Sequence, residues 1–233
     1  LAVYNFSKMT RLRLGVIEDF DADVTPALMV QLAGALKGCQ FLLESASSYA
    51  LAEALESRSL DIVVAADLDI TSKWMEVHTL MTEPFIAVAP RGHVDRSKPV
   101  FEQVEKLPFV RYSSRQMMGR QIEAHLARQR INLQNRFEFG SYHAILSMVA
   151  GGGGWTVTTP LGYMRAQRFH GSLDVMPLPF KALSRSISLI ARKGEMESIA
   201  GDVAGLMRPL IRDMLVEPCV RIFPWMEGAF RVE

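Results

Sequence analysis

At 233 residues with 49% apolar side chains, the chain holds enough hydrophobic surface for one large core or two modest ones, which excludes an unfolded polymer. The 26 lysines and arginines against 25 aspartates and glutamates leave a formal charge of +1, so no positive excess is available to neutralise phosphates and nucleic-acid binding by this stretch is disfavoured. Cys39 and Cys219, far apart and without a CxxC pair or a histidine at ligand spacing, exclude a zinc centre or a disulfide scaffold of recognisable pattern.

Leu1 to Arg13 lacks the apolar core of a signal peptide, and no stretch approaches the roughly 18 apolar residues of a spanning helix. A cytoplasmic protein with no membrane partner is therefore expected, with a processed periplasmic protein left open. Leu12 to Ile17 reads as the first strand. Thr25-Pro26 offers a helix cap followed by proline at the first helical position, and Leu28, Leu32, Ala35 and Leu36 mark the apolar face of a helix ending near Gly38. Cys39 to Leu43 predicts a second strand. Ser47 and Ser48 are capping candidates for a helix carrying Leu51, Ala54 and Leu55. Asp61 to Ala65 is a third strand, and Val77 to Met81 and Pro84 to Ala89 are two more, broken by Thr82-Glu83.

The polar, turn-rich segment Gly92 to Pro99 reads as the exit into a second lobe that repeats the alternation. Its strands are Phe109 to Tyr112, Arg136 to Phe139, Trp155 to Val157 and Leu173 to Met176. Its helices run from about Arg115 to Arg130, from about Tyr142 to Ala150, and from Pro160 to Arg168 after a Thr159 cap. Ile187 to Ala191 is a further strand, followed by a helix with Met196, Ile199, Val203, Leu206, Leu210 and Met214 at intervals of three and four. Glu217 to Glu233 fits no element. This alternation is the pattern of βαβ units, hence of an α/β chain with largely parallel sheets. The glycines Gly151 to Gly154 precede a strand and are followed by no Lys-Ser/Thr, so they read as a turn rather than a phosphate loop.

RLRLGV, FLLESASSYALAEALESRSLDIVVAA, EPFIAVAPRGH, SMVAGGGGWTVTTP and SISLIARKG occur in this order, and together they resemble the effector-binding domain of LysR-type transcriptional regulators, whose fold is that of type 2 periplasmic binding proteins. RLRLGV resembles the family's first strand. FLLESASSYALAEALESRSLDIVVAA, Phe41 to Ala66, is similar to its second strand, capped helix and turn into the third strand, with Arg58-Ser59 where a glycine is usual. EPFIAVAPRGH, SMVAGGGGWTVTTP and SISLIARKG are similar to its crossing strand, glycine turn and returning strand. The resemblance spans about Arg11 to Leu215 and implies two Rossmann-like lobes joined by two crossover strands, with lobe I formed by 1–90 and 189–233 and lobe II by 91–188. It also implies that residues 1 to 10 are at most the end of a linker helix, that DNA is bound only through an N-terminal helix-turn-helix outside this stretch, and that the chain works as a homodimer or homotetramer. Leu28, Met29, Leu32 and the strand around Phe41 are candidates for that pairing, and each could equally be core.

In open α/β sheets, ligands collect where strands end and helices begin, because helix N-termini leave backbone N–H donors unsatisfied. Four such corners are legible: Glu18-Asp19-Phe20, Ser47-Ser48, Ser113-Ser114 and Ser141-Tyr142-His143. Each serine could be only a helix cap. The resemblance places effector contacts at Asp19, Ser48 and the Phe139 to His143 region. The first corner crowds Glu18, Asp19, Asp21 and Asp23, which repels a carboxylate unless Arg111, Arg115 or His143 compensates, so the charge of the small organic effector stays open, with a neutral or amine-bearing ligand one alternative and an anionic one the other. No nucleophile-base pair, metal cluster or cofactor fingerprint is present, so the chain reads as neither an enzyme nor a cofactor protein. The competing function is a stand-alone periplasmic solute-binding protein of a transporter.

Overall fold

The computed structural model describes residues 9–66, 72–196 and 198–233. The linker-helix expectation for residues 1 to 10 therefore lies, for 1–8, outside the described residues. In chain order the elements are β1 (Arg11–Val16), α1 (Val24–Ala35), β2 (Gln40–Ser45), α2 (Ser48–Glu56), β3 (Ile62–Ala66), β4 (Met75–Pro84), β5 (Ile86–Pro90), α3 (Val100–Val104), β6 (Phe109–Tyr112), α4 (Met117–Arg128), β7 (Asn135–Phe139), α5 (Tyr142–Ala150), β8 (Thr156–Thr158), α6 (Pro160–Arg165), β9 (Leu173–Pro177), β10 (Ser184–Arg192), α7 (Ile199–Ile211), α8 (Glu217–Ile222) and β11 (Arg231–Val232). The chain forms two compact units. Unit 1 comprises the residues up to Glu83 together with Arg185–Glu233, and unit 2 is Pro84–Ser184.

The unit 1 sheet has the strand order β11-β4-β10-β3-β1-β2. β1 pairs in parallel with β2 and β3, and β10 returns antiparallel to β3 with Leu189 opposite Val64. β3 is buried at every position, which its run of Ile62-Val63-Val64 suits because a strand covered on both faces needs branched apolar side chains throughout. α1 begins at Val24, not after a cap at Thr25. Thr25 is 2% exposed and shares the inward face with Leu28 and Leu32, so packing of that face has turned its hydroxyl into the core, where Oγ1 has no partner among the described residues.

The expected break at Thr82-Glu83 is absent: β4 runs unbroken from Met75 to Pro84, with Glu83 fully buried. An acidic residue reads as a strand end from sequence, but here its charge is matched inside the protein by Arg185. After α7 the helix continues through a π turn at Arg212–Val216 into α8; Pro209 and Pro218, each lacking an N–H, flank the widened turn. The stretch that fits no element by sequence is ordered. It forms a 3-10 turn at Pro224–Met226 and then β11, which pairs antiparallel with β4, burying Met226 and Phe230.

In unit 2, β5 is flanked antiparallel by β8 and β9, and β6 pairs in parallel with β7. A parallel bridge between Phe109 and Trp155 joins the two sheets, with the Val110 N–H donating to the Trp155 carbonyl at 2.9 Å and the Trp155 N–H to the Pro108 carbonyl at 3.0 Å. The glycine run forms the turn into this bridge. Gly154 has φ +144, and a Cβ there would lie 2.0 Å from the Pro108 oxygen, so only glycine lets the strand approach closely enough to bond. Thr159 caps α6 by accepting from the Gly162 N–H, with Pro160 at the first helical position, as the sequence predicts.

Candidate functional site

The carboxyl edge of the unit 1 sheet carries two of the four predicted corners. Glu18, Asp19 and Phe20 form a single 3-10 turn directly after β1, and Ser47 and Ser48 start α2 directly after β2. The parallel pairing of β1 with β2 brings these corners together, and Ser45 Oγ donates to Asp21 at 2.7 Å across them. Phe20 is fully buried in the unit 1 core and anchors the turn from below. Ser47 Oγ caps α2 by accepting the Ala50 N–H at 3.3 Å, and Ser48 Oγ accepts the Ala66 N–H at the end of β3 at 3.0 Å. A hydroxyl that accepts such a bond keeps its own proton to donate, so both serines serve the backbone without losing donor capacity.

Sequence reasoning missed the cation that answers the acidic corner. Arg185, 6% exposed on β10, contacts the fully buried Glu83 carboxylate through Nε at 2.7 Å and Nη2 at 2.6 Å, and reaches Asp19 at 3.3 Å. Arg111, one of the expected compensators, instead pairs with Glu123 at 2.7 Å in unit 2. The signal that could have found Arg185 is strand alternation. It shares parity with Ile187 and Leu189, so its side chain must point inward, and an inward arginine requires a carboxylate.

The carboxyl edge of β6 and β7 in unit 2 carries the other two corners. Ser113 and Ser114 do not cap α4, which starts at Met117 with no side-chain cap; the Ser113 hydroxyl instead accepts the Arg115 N–H at 3.3 Å in the turn ahead of the helix. It donates to Glu138, which also accepts the Ser114 N–H at 3.1 Å; these bonds, with Arg111 and Arg115 nearby, hold the Glu138 carboxyl below its ordinary range. A groove of about 490 Å³ is lined by Ser113, Arg115, Gln116, Glu138, Phe139 and Gly140. Gln116 Nε2 donates to the Gly140 carbonyl across it. A Cβ at Gly119 would fall 2.2 Å from the Ser113 oxygen, so the first turn of α4 lies directly against this corner. Ser141 is the residue before α5, with no side-chain cap bond; Tyr142 lies under the Arg165 guanidinium at 5.3 Å, and His143 packs on Phe169 at 5.2 Å. Ser113 and Phe139 thus share the groove, while Ser141, Tyr142 and His143 stand at the neighbouring helix start.

A family model described as the LysR substrate binding domain matches residues 7–207. The chain belongs to that family. Members of the LysR family are transcription regulators rather than enzymes, and their effector-sensing domains have the two-lobed type 2 periplasmic-binding-protein fold. Solved structures agree on the fold. The reduced regulatory domain of OxyR2 from Vibrio vulnificus aligns with a TM-score of 0.70 at 20% identity, covering 88% of this chain and 97% of that one. A reduced form of OxyR from N. meningitidis aligns at 0.69 with 20% identity over 87% and 96%. A full-length BenM mutant aligns at 0.72 with 15% identity over 87% and 67%. A comparison with curated proteins gave no match.

The two thiols of this LysR-family domain are not poised to react. Thiolate is the nucleophilic form, and a reactive cysteine needs a lowered pKa. Burial and the nearby Glu83 push the Cys219 thiol up to about 12, with its Sγ 3.8 Å from Met226 Sδ, and burial also raises Cys39. The folded protein therefore keeps a proton on Cys219 that the unfolded chain releases near 9.0, so this group lowers stability as pH climbs from about 9 towards 12 and has no effect below. At pH 8, a thiol reagent is expected to titrate at most one cysteine in the native protein and two in denaturant. Two fast equivalents in the native state would contradict the burial of Cys219.

Proposed function

We propose that this effector-sensing domain binds a small organic ligand that is amine-bearing or neutral, using Glu18, Asp19, Ser47 and Ser48 on the unit 1 edge, with Phe20 fixing the turn, and Ser113, Ser114, Phe139, Ser141, Tyr142 and His143 on the unit 2 edge. The observation that carries this reading is the state of Arg185. Its charge is taken up by the fully buried Glu83, so Asp19 is only partly neutralised and the unit 1 corner presents net negative charge. An ammonium would gain there, and a carboxylate would be repelled. Thermal shift and calorimetry with matched aromatic amines and aromatic acids test it. Amines are expected to bind, and Asp19→Asn to weaken them about 10- to 100-fold, one to two steps of 1.4 kcal/mol. Tight binding of acids alone would remove the proposal.

Ligand-driven population shift between arrangements of a homodimer or homotetramer would then be passed to a DNA-binding helix-turn-helix, in the cytoplasm. The solute-binding alternative is the weaker reading, since the family match is to transcription regulators. No helix among the described residues is long and apolar enough to cross a membrane. Of the pairing candidates named from sequence, two take the core alternative. Leu28 and Leu32 are core residues, because that face of α1 is buried within unit 1. Val30 at 75% exposure on α1, with Leu42 and Leu43 on the outermost strand β2, are the apolar side chains that face out and suit pairing through this face.

A further inference from the structure

Residues beyond 207 lie outside the family match, yet they build a second apolar surface on unit 1. Ile222 and Trp225 stand exposed at the end of α8 and in the turn that follows it. The same segment carries a groove of about 330 Å³, with Val216, Val220 and the buried Phe230 supplying its apolar lining and Glu217, Arg221 and Glu227 its charge. None of these three charged side chains has an ion-pair partner among the described residues.

A two-fold interface places one patch against its own copy, so the patch must carry both halves of every contact. This one does. Its groove is walled by carboxylates and a guanidinium around an apolar floor, so Arg221 of one copy can meet Glu217 or Glu227 of the next while the apolar linings of the two grooves close on each other. Tryptophan and arginine are also the residue types that dominate interface energetics. We propose that the tail, residues 212–230, is a self-association surface that pairs isologously with a second copy of this chain, separately from the face formed by α1 and β2.

Sedimentation of the full chain across concentration tests this, with charge segregation as the decisive arm. R221E makes the patch uniformly acidic, and E217R/E227R makes it uniformly basic. Each variant alone is expected to dissociate at least tenfold more readily than the parent, and an equimolar mixture to regain the parent's mass. W225A is expected to weaken the same step about 30-fold or more, with the melting temperature of the dissociated chain retained because Trp225 is exposed. Variants that sediment as the parent does, a mixture no heavier than its components, or a parent that is monomeric at every concentration would each overturn the proposal, the last leaving the patch to a different protein.

Discussion

Arg185→Leu is expected to lower the stability of this domain by about 3–5 kcal/mol, because it removes the guanidinium that ion-pairs with the buried Glu83 carboxylate. Glu83 is fully inaccessible and Arg185 nearly so, and the two contacts between them are 2.6 and 2.7 Å. At such a site the cost of breaking the pair exceeds the value of having it, since an uncompensated ion in a low-dielectric interior loses its hydration and gains nothing. Removing both partners together therefore costs far less than removing either: Glu83→Leu combined with Arg185→Leu is expected within about 1–2 kcal/mol of the parent. Urea denaturation midpoints of the three variants decide it. A single Arg185→Leu within about 1 kcal/mol of the parent would mean that water or another cation reaches Glu83.

The second large effect is expected in unit 2. Trp155→Ala should cost about 3–5 kcal/mol, the range for deleting a buried aromatic. Trp155 is fully buried, its ring 5.0 Å from that of Phe109, and its backbone supplies the bridge between the two sheets of this unit. The indole Nε1 has no hydrogen-bond partner among the described residues, so Trp155→Phe keeps most of the packing and removes an unsatisfied donor. It is expected to cost less than half as much as alanine. Equal losses for phenylalanine and alanine, read by chemical denaturation, would show that the nitrogen is bonded and that the packing argument is incomplete.

What could be read in advance depended on how far apart in the chain the decisive partners lie. α5 and the Thr159-Pro160 start of α6 were legible because cap, proline and apolar spacing are local signals. All the strands but β11 followed from period and branched side chains, to within three residues at their ends. Thr25 misled because its cap signal competed with burial of its helix face, which depends on the helix lying against the rest of unit 1. Glu83 looked like a strand terminator because its partner stands 102 residues later, and Arg185 was overlooked as a compensator of Asp19 across 166 residues. At the Ser113 corner the carboxylate that accepts from the hydroxyl, Glu138, stands on a different strand, beyond the whole of α4. In each case a polar side chain was read by local rules while a distant charge or packing face decided its role.

The fastening of β11 has a practical consequence. Glu233 accepts from the Thr82 hydroxyl at 2.8 Å, its own N–H donates to the Leu80 carbonyl, and Thr82 lies 3.3 Å from Ser186, so the final residues are stitched beside both passages of the backbone between the units. A protease cut between Phe223 and β11 would therefore do more than shorten the chain, since it would strip Thr82 of its carboxylate acceptor and bare the edge of β4.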